Sequence, residues 1–200
     1  MKKLTTLLLA LFSVLTVFSQ FEAGEEIVID KAQADDTYLA GETINVNAAV
    51  QGDLVIAGQN WIVNDSIQGD LIGAGGEILV NGPIADDVRV AGGKITIDSD
   101  VGDDLVVFGG AVFLNENAHI KGTLVCYAGD VVVNNGAVIE ELKIRGGDVY
   151  IDGTVRGPST VAVDEFTLGS NAKFHNDVES VSYTHLTLPT ITSGCSSRWW

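Results

Sequence analysis

Apolar side chains recur along this chain in short alternating pairs, separated by corners rich in Gly, Asn and Asp, and the pattern repeats every seventeen residues. Asp36, Asp53, Asp70, Asp87 and Asp104 mark the period. Counted from that Asp as position 1, the unit carries Leu or Val at position 2, an aliphatic residue at 4 and Gly at 6. It continues with Ile, Val or Trp at 9, Val, Ile or Leu at 11, Asn or Asp at 12, and Val or Ile at 15. Positions 2 and 4 are two residues apart, as are 9 and 11, so each pair faces one side of a β-strand. Position 15 adds a third inward point. The pattern therefore predicts an all-β chain folded as a right-handed parallel β-helix, a solenoid with three short strands per turn of about 17 residues. Roughly eight turns would stack about 4.8 Å apart. A left-handed hexapeptide coil also has three faces, but seventeen is not a multiple of six.

The register is specific. Position 15 is read as Val50, Ile67, Ile84, Val101, Ile120, Val138 and Val155. Two turns are longer, Asp104 to Thr123 and Thr123 to Glu141, and their extra residues are placed after position 12, in Glu116–His119 and Asn135–Ala137. Gly24, Ile27, Ile29 and Asp30 carry the pattern back almost to the start of the mature chain. Position 6 Gly is expected where the backbone needs a positive φ or a sharp turn. Position 12, occupied by Asn47, Asn64, Asn81, Asp98, Asn115, Asn134 and Asp152, is expected to form a structural corner ladder. Asn and Asp tolerate the left-handed conformation, bond nearby backbone, and can bond one another up the stack. Trp61 at position 9 and Cys126 at position 4 are expected to point inward. Position 5 is Ala in the early turns and then Phe108, Tyr127 and Arg145. It is expected to face out, with Phe108 and Tyr127 forming an exposed aromatic pair suited to a lateral contact.

The first residues lie outside this pattern. Met1-Lys2-Lys3 is positive, Leu4 to Phe18 is mostly apolar, and Val17 and Ser19 suit the −3 and −1 places of a cleavage site. The run is shorter than the roughly 20 residues a membrane span needs. Residues 1–19 are expected to be a signal peptide cleaved near Ser19, which implies export to the periplasm, the outer surface or the medium. The repeat domain is expected over 20–180. The string from Val181 to Thr190 fits no position and resembles the translated read-through of a sequencing adapter. Residues 181–200 are therefore expected to be an artefactual or unstructured tail, with a genuine C-terminal cap as the alternative. Any membrane attachment would need a further C-terminal segment.

Charge narrows the partners. The chain holds 11 Lys and Arg against 27 Asp and Glu, a net charge of −16, and two of the cations lie in the leader. Phosphate backbones need clustered cations, so nucleic acid is excluded as a partner. Two cysteines, Cys126 and Cys195, do not make a disulfide framework.

The Asp column, Asp36, Asp53, Asp70, Asp87 and Asp104, is the one candidate cation site, since calcium takes six to eight oxygens. The competing and expected reading is that each carboxylate caps a corner by accepting backbone N–H bonds. The Asp86-Asp87, Asp103-Asp104 and Glu140-Glu141 pairs invite a glycosidase reading, but neighbouring residues in a strand or corner point in different directions. His119, His175 and His185 form no zinc or triad spacing. Gly109-Gly110 and Gly146-Gly147 precede no helix and are no phosphate loop. No catalytic residue, cofactor or metal is assigned.

The segments Gly-Asp-Leu-Val-Ile-Ala-Gly (52–58), Asp-Asp-Val-Arg-Val-Ala-Gly-Gly-Lys-Ile-Thr-Ile (86–97) and Gly-Thr-Val-Arg-Gly (153–157) resemble the bactofilin-like, polymer-forming bacterial proteins. The likeness covers about Gly24 to Asp177. It implies a right-handed β-helix that associates end to end with copies of itself, without nucleotide or catalytic residues. The signal peptide points to a secreted relative, a structural scaffold of the cell envelope with envelope components as further partners. The alternative from the residues is a surface module or adhesin that binds cations or glycans.

Overall fold

A computed structural model describes residues 20–187, with side chains over 21–179. The expected signal peptide (1–19) and the end of the tail (188–200, with Cys195) lie outside the described residues. The side chain of His185 does too.

The described chain is all β. Its strands are β1 (Gln20–Ile29), β2 (Thr37–Val46), β3 (Leu54–Val63), β4 (Leu71–Val80), β5 (Val88–Ile97), β6 (Asp100–Val101), β7 (Leu105–Leu114), β8 (His119–Val133), β9 (Val138–Ile151), β10 (Thr154–Val155), β11 (Ser159–Leu168), β12 (Lys173–Phe174) and β13 (Val178–Thr187). Every pairing is parallel and joins one turn to the next, in a single sheet that coils into a β-solenoid. Leu54 sits on Leu71 and Trp61 on Ile78, so like positions stack on like, as the seventeen-residue register requires.

Positions 2 and 4 do not form a separate strand from 9 and 11. The two run as one ten-residue strand bent at position 7, where the pairing skips from Gly41–Gly58 to Thr43–Asn60. The bend follows from parity. Positions 4 and 9 are five apart, so a straight strand would point them to opposite sides, and only a corner turns both inward. The third face is slight: in most turns it is a lone bridge at position 15, such as Ile67 on Ile84. About nine turns are present rather than eight, because β13 continues the pairing on β11 as far as Thr187. The pairing thus runs past residue 180, where the apolar pattern stops.

The inward positions form one continuous core. Ile44, Leu54, Val63, Ile78, Ile95, Val112 and Leu142 are fully buried. Each such side chain contributes roughly 1.5–3 kcal/mol before chain entropy is subtracted.

One residue of the expected core is displaced. Position 15 after the second widened corner is Ile139, not Val138. Ile139 is buried between Ile120 and Val155, whereas Val138 pairs with His119 and Thr154 and is half-buried. Both widened corners are β-turns of equal length, closed by Ala118 N–H to Asn115 O (3.0 Å) and Ala137 N–H to Asn134 O (3.2 Å). The length difference between these turns falls instead after position 15, where the register shifts between Ile120 and Thr123.

Of the two reasons expected for Gly at position 6, the sharp turn is present, since the strand bends at position 7, and the positive φ is not. Among the described residues Gly136 alone has a positive φ, 103°. At Gly58 a Cβ would stand 2.6 Å from the carbonyl oxygen of Gly41 and 3.2 Å from Ile44 Cδ1. Position 6 is glycine because one turn's backbone rests on the next. The position 12 Asn residues likewise have no left-handed backbone, so their role lies in their side chains.

Candidate functional site

Two polar ladders run up the corners. In the first, the backbone N–H of Asp53 donates to Asp36 Oδ1 (2.9 Å) and Asp70 N–H to Asp53 Oδ1 (2.9 Å). The series continues with Asp87 N–H to Asp70 Oδ1 (3.2 Å), Asp104 N–H to Asp87 Oδ1 (2.8 Å) and Thr123 N–H to Asp104 Oδ1 (2.7 Å). Each carboxylate of the Asp column therefore fixes the start of the next turn, and its charge is matched by an N–H dipole. Gly52 and Gly69 leave room for the carboxylates of Asp36 and Asp53 to reach across.

The second ladder is directional. Asn47 Nδ2 donates to Asp30 Oδ1 (3.1 Å), Asn64 Nδ2 to Asn47 Oδ1 (2.9 Å) and Asn81 Nδ2 to Asn64 Oδ1 (2.9 Å). An ionised Asp accepts but cannot donate. It can begin such a series, as Asp30 does, but it interrupts one. At Asp98 the donor comes from the first widened corner, Asn117 Nδ2 to Asp98 Oδ1 (3.0 Å), and at Asp152 from a similar turn closed by Ala172 N–H to Gly169 O (3.3 Å), Asn171 Nδ2 to Asp152 Oδ2 (2.9 Å). Asn134 Nδ2 donates to Asn115 Oδ1 (3.1 Å) between them.

Two members of the candidate cation column, Asp70 and Asp87, come together with Asp86, and the residue that the sequence did not single out is the Arg89 among them. Carboxylate oxygens of Asp70, Asp86 and Asp87 lie within 4.8 Å of one another. Arg89 sits among them, with Nη1 2.9 Å from Asp70 Oδ2 and Nη2 bonded to Asp87 Oδ2. Lost hydration and the charges of Asp70, Asp87 and Asp103 raise the Asp86 carboxyl above its ordinary value, against a smaller opposing pull from Arg89. Desolvation works against the Arg89 charge, yet the bond to Asp70 and the field of Asp87 and Asp70 hold its pKa above the usual one. Its sequence signal was an Arg two residues after an Asp-Asp pair, at a position aliphatic in the neighbouring turns. Of the remaining adjacent pairs, Glu140-Glu141 diverges: Glu140 meets Arg156 (2.7 Å) and Glu141 meets Lys143 (2.6 Å). His119 Nδ1 lies 3.1 Å from Asp100 Oδ1 on the exposed third face.

Trp61 points inward, 1% exposed, and its Nε1–H donates to Ala74 O (3.2 Å). Gly73, the one glycine at position 4, makes the space: a Cβ there would stand 2.6 Å from Trp61 Cζ2. Cys126 is buried, and burial pushes its thiol up to about 12. Ser159 takes position 2 in the ninth rung, and its buried hydroxyl has no partner.

The two outer faces differ. On the first arm (positions 2–6) the outward residues are at 3 and 5, and Phe108 and Tyr127 stack there as expected, centroids 5.2 Å apart and planes 6° from parallel. On the second arm (positions 8–11) a shallow groove of roughly 450 Å³ runs over Phe113, Val132 and Tyr150, flanked by Asp130, Asp148 and Glu165.

Compared with known proteins, the chain matches no family model, and no characterised protein or solved structure is significantly similar to it.

Proposed function

We propose that this chain is a non-catalytic, self-associating structural module of the bacterial cell envelope, akin to the polymer-forming proteins its repeats resemble. The observation that carries the reading is the open end of the coil. Among the described residues β1 pairs with β2 alone, so the other edge of its backbone has N–H and C=O groups to offer another copy. The patterned residues already have structural work, in the core or in the two ladders, and this supports a scaffold over an enzyme. Sedimentation velocity and negative-stain microscopy of the purified mature chain test it. Rods longer than the roughly 4 nm of one coil at 4.8 Å per turn are expected. Monodisperse monomers at high concentration would overturn it.

A second reading, a glycan- or cation-binding surface module, is favoured by the second-arm groove alone. Tyr150 and Phe113 offer apolar ring surface, and Asp130, Asp148 and Glu165 offer acceptors for hydroxyl groups or a cation. Calorimetric titration with envelope oligosaccharides and with calcium, repeated on Tyr150→Ala, checks it.

A further inference from the structure

We infer that the outer face of the first arm is an interface for a second copy of this chain, packed face to face with its turns running in the opposite order. The inference rests on the self-association proposed above and names a surface and a partner geometry for it.

Positions 3 and 5 present eighteen side chains between Phe21 and Ala162, and none is acidic, although the chain holds 27 acidic residues. Much of the face is apolar and bare. Phe21 is 69% exposed, Phe108 51%, Tyr127 43% and Ile72 41%. A sheet about five residues wide at 3.3 Å each and eight 4.8 Å steps tall covers about 600 Å². Two such faces bury about 1,200 Å² together, the lower bound for a specific interface.

The order of residues at position 5 points to a second copy with reversed turns. Ala fills the position from Ala23 to Ala91; Phe108, Tyr127 and Arg145 follow, and Ala162 closes the series. A two-fold axis lying along the strands at Ala91 brings each large residue over a small one. Phe108 meets Ala74 of the other copy, Tyr127 meets Ala57, and Arg145 meets Ala40 beside the Tyr38 ring. The same surface serves both partners, as an isologous contact requires. The stacked Phe108 and Tyr127 rings make a ridge, and the alanine row makes the trough that receives it. Packing with the turns in the same order would instead set Lys143 of one copy beside Arg145 of the other. At the axis the two Arg89 side chains face each other, each paired with Asp70 and Asp87; with Asp86 alongside, one guanidinium stands against three carboxylates, a local repulsion that the surrounding apolar contact has to outweigh.

The test uses the mature chain with Cys195→Ser, in which buried Cys126 is the remaining thiol. Ala57→Cys and Tyr127→Cys are introduced together and singly, then treated with a bis-maleimide of about 10 Å reach, the spacing of packed sheets. Within one coil these positions are four steps of about 4.8 Å apart, too far for that reagent. The double variant is expected to give a covalent dimer and each single variant none. Ala74→Arg is expected to weaken lateral dimerisation at least tenfold by sedimentation, with an unchanged melting curve. Crosslinking of Ala57→Cys alone would mean turns in the same order and would overturn the inference. Assemblies without any crosslink would also overturn it, while leaving end-to-end association standing. Monomers throughout would overturn both.

Discussion

Replacing Gly73 by Val tests whether the core is a stack of coupled rungs or a set of independent ones. Position 4 is Ile56 below and Val90 above, both buried, so repeat logic alone would make Val an improvement. The structure says otherwise. The first carbon added at Gly73 would lie 2.6 Å from Trp61 Cζ2 and 3.1 Å from Cη2, with Ile56 O also close, at 3.2 Å. Trp61 is 1% exposed and tied to Ala74 O, so it has nowhere to go, and overpacking of this kind costs about 1–3 kcal/mol. Trp61→Ile alone should also destabilise, by about 2–4 kcal/mol, because it leaves a void over Gly73 and removes buried ring area. The double variant restores the pairing found in the neighbouring turns, an aliphatic residue at both positions. It should lie within about 1 kcal/mol of the parent, a favourable coupling of at least about 2 kcal/mol, at or beyond the upper end of the usual 0.5–3 kcal/mol for contacting residues. Guanidinium denaturation followed by far-ultraviolet circular dichroism reads all four proteins, with the slope of the transition checked for constancy. If the double variant loses the sum of the two single losses, the indole does not occupy the space left by Gly73 and the argument fails.

Other expectations follow from the same geometry. Cys126 should be inert to thiol reagents in the folded chain and react only on unfolding, read with Cys195→Ser by the colour of released thiolate. Its thiol is raised to about 12 by burial, so its share of stability is complete below the unfolded value and falls by about 1.4 kcal/mol per pH unit above it, up to the folded value. Ser159→Ala should stabilise the coil by about 1 kcal/mol, since it removes a buried hydroxyl without a partner; a lower melting temperature would show that the hydroxyl is satisfied. Asn64→Asp should cost about 1 kcal/mol, because a carboxylate can accept from Asn81 but no longer donates to Asn47, whereas Asn64→Gln should retain a donor and cost less.

The repeat was legible because stacking samples each position many times, so a single Trp or Ser does not hide the column. What failed did so for definable reasons. Glycine identity does not say whether a residue needs positive φ or close approach, and at position 6 it is the approach of Gly41 O to Gly58 that matters. Val138 and Ile139 are adjacent, apolar and β-branched, so composition could not choose between them; the equal length of two β-turns did. β13 was missed past residue 180 because parallel backbone pairing needs no apolar periodicity. The Asp column's capping bonds and the exposed Phe108–Tyr127 stack were both foreseen. The place of Arg89 was not, because it stands at position 3, aliphatic in the neighbouring turns, and reaches back along the stack to Asp70 as well as to Asp87.

The two outer faces oppose each other in character, and that opposition narrows where copies can meet. Two chains of net charge −16 repel at long range, so contact is favoured only where acidic groups are scarce. Meeting by their second arms would bring Asp130, Asp148 and Glu165 against their own images around the Tyr150 groove. Meeting by their first arms brings alanine and aromatic surface together, with the carboxylates of Asp70, Asp86 and Asp87 confined to one turn and gathered around Arg89. Salt should therefore strengthen first-arm association by screening the net charge, within a Debye length of about 10 Å at 0.1 M. A contact built on complementary charges would weaken under the same treatment, so the sign of the salt response separates a face chosen by its lack of acid from one chosen by ion pairing.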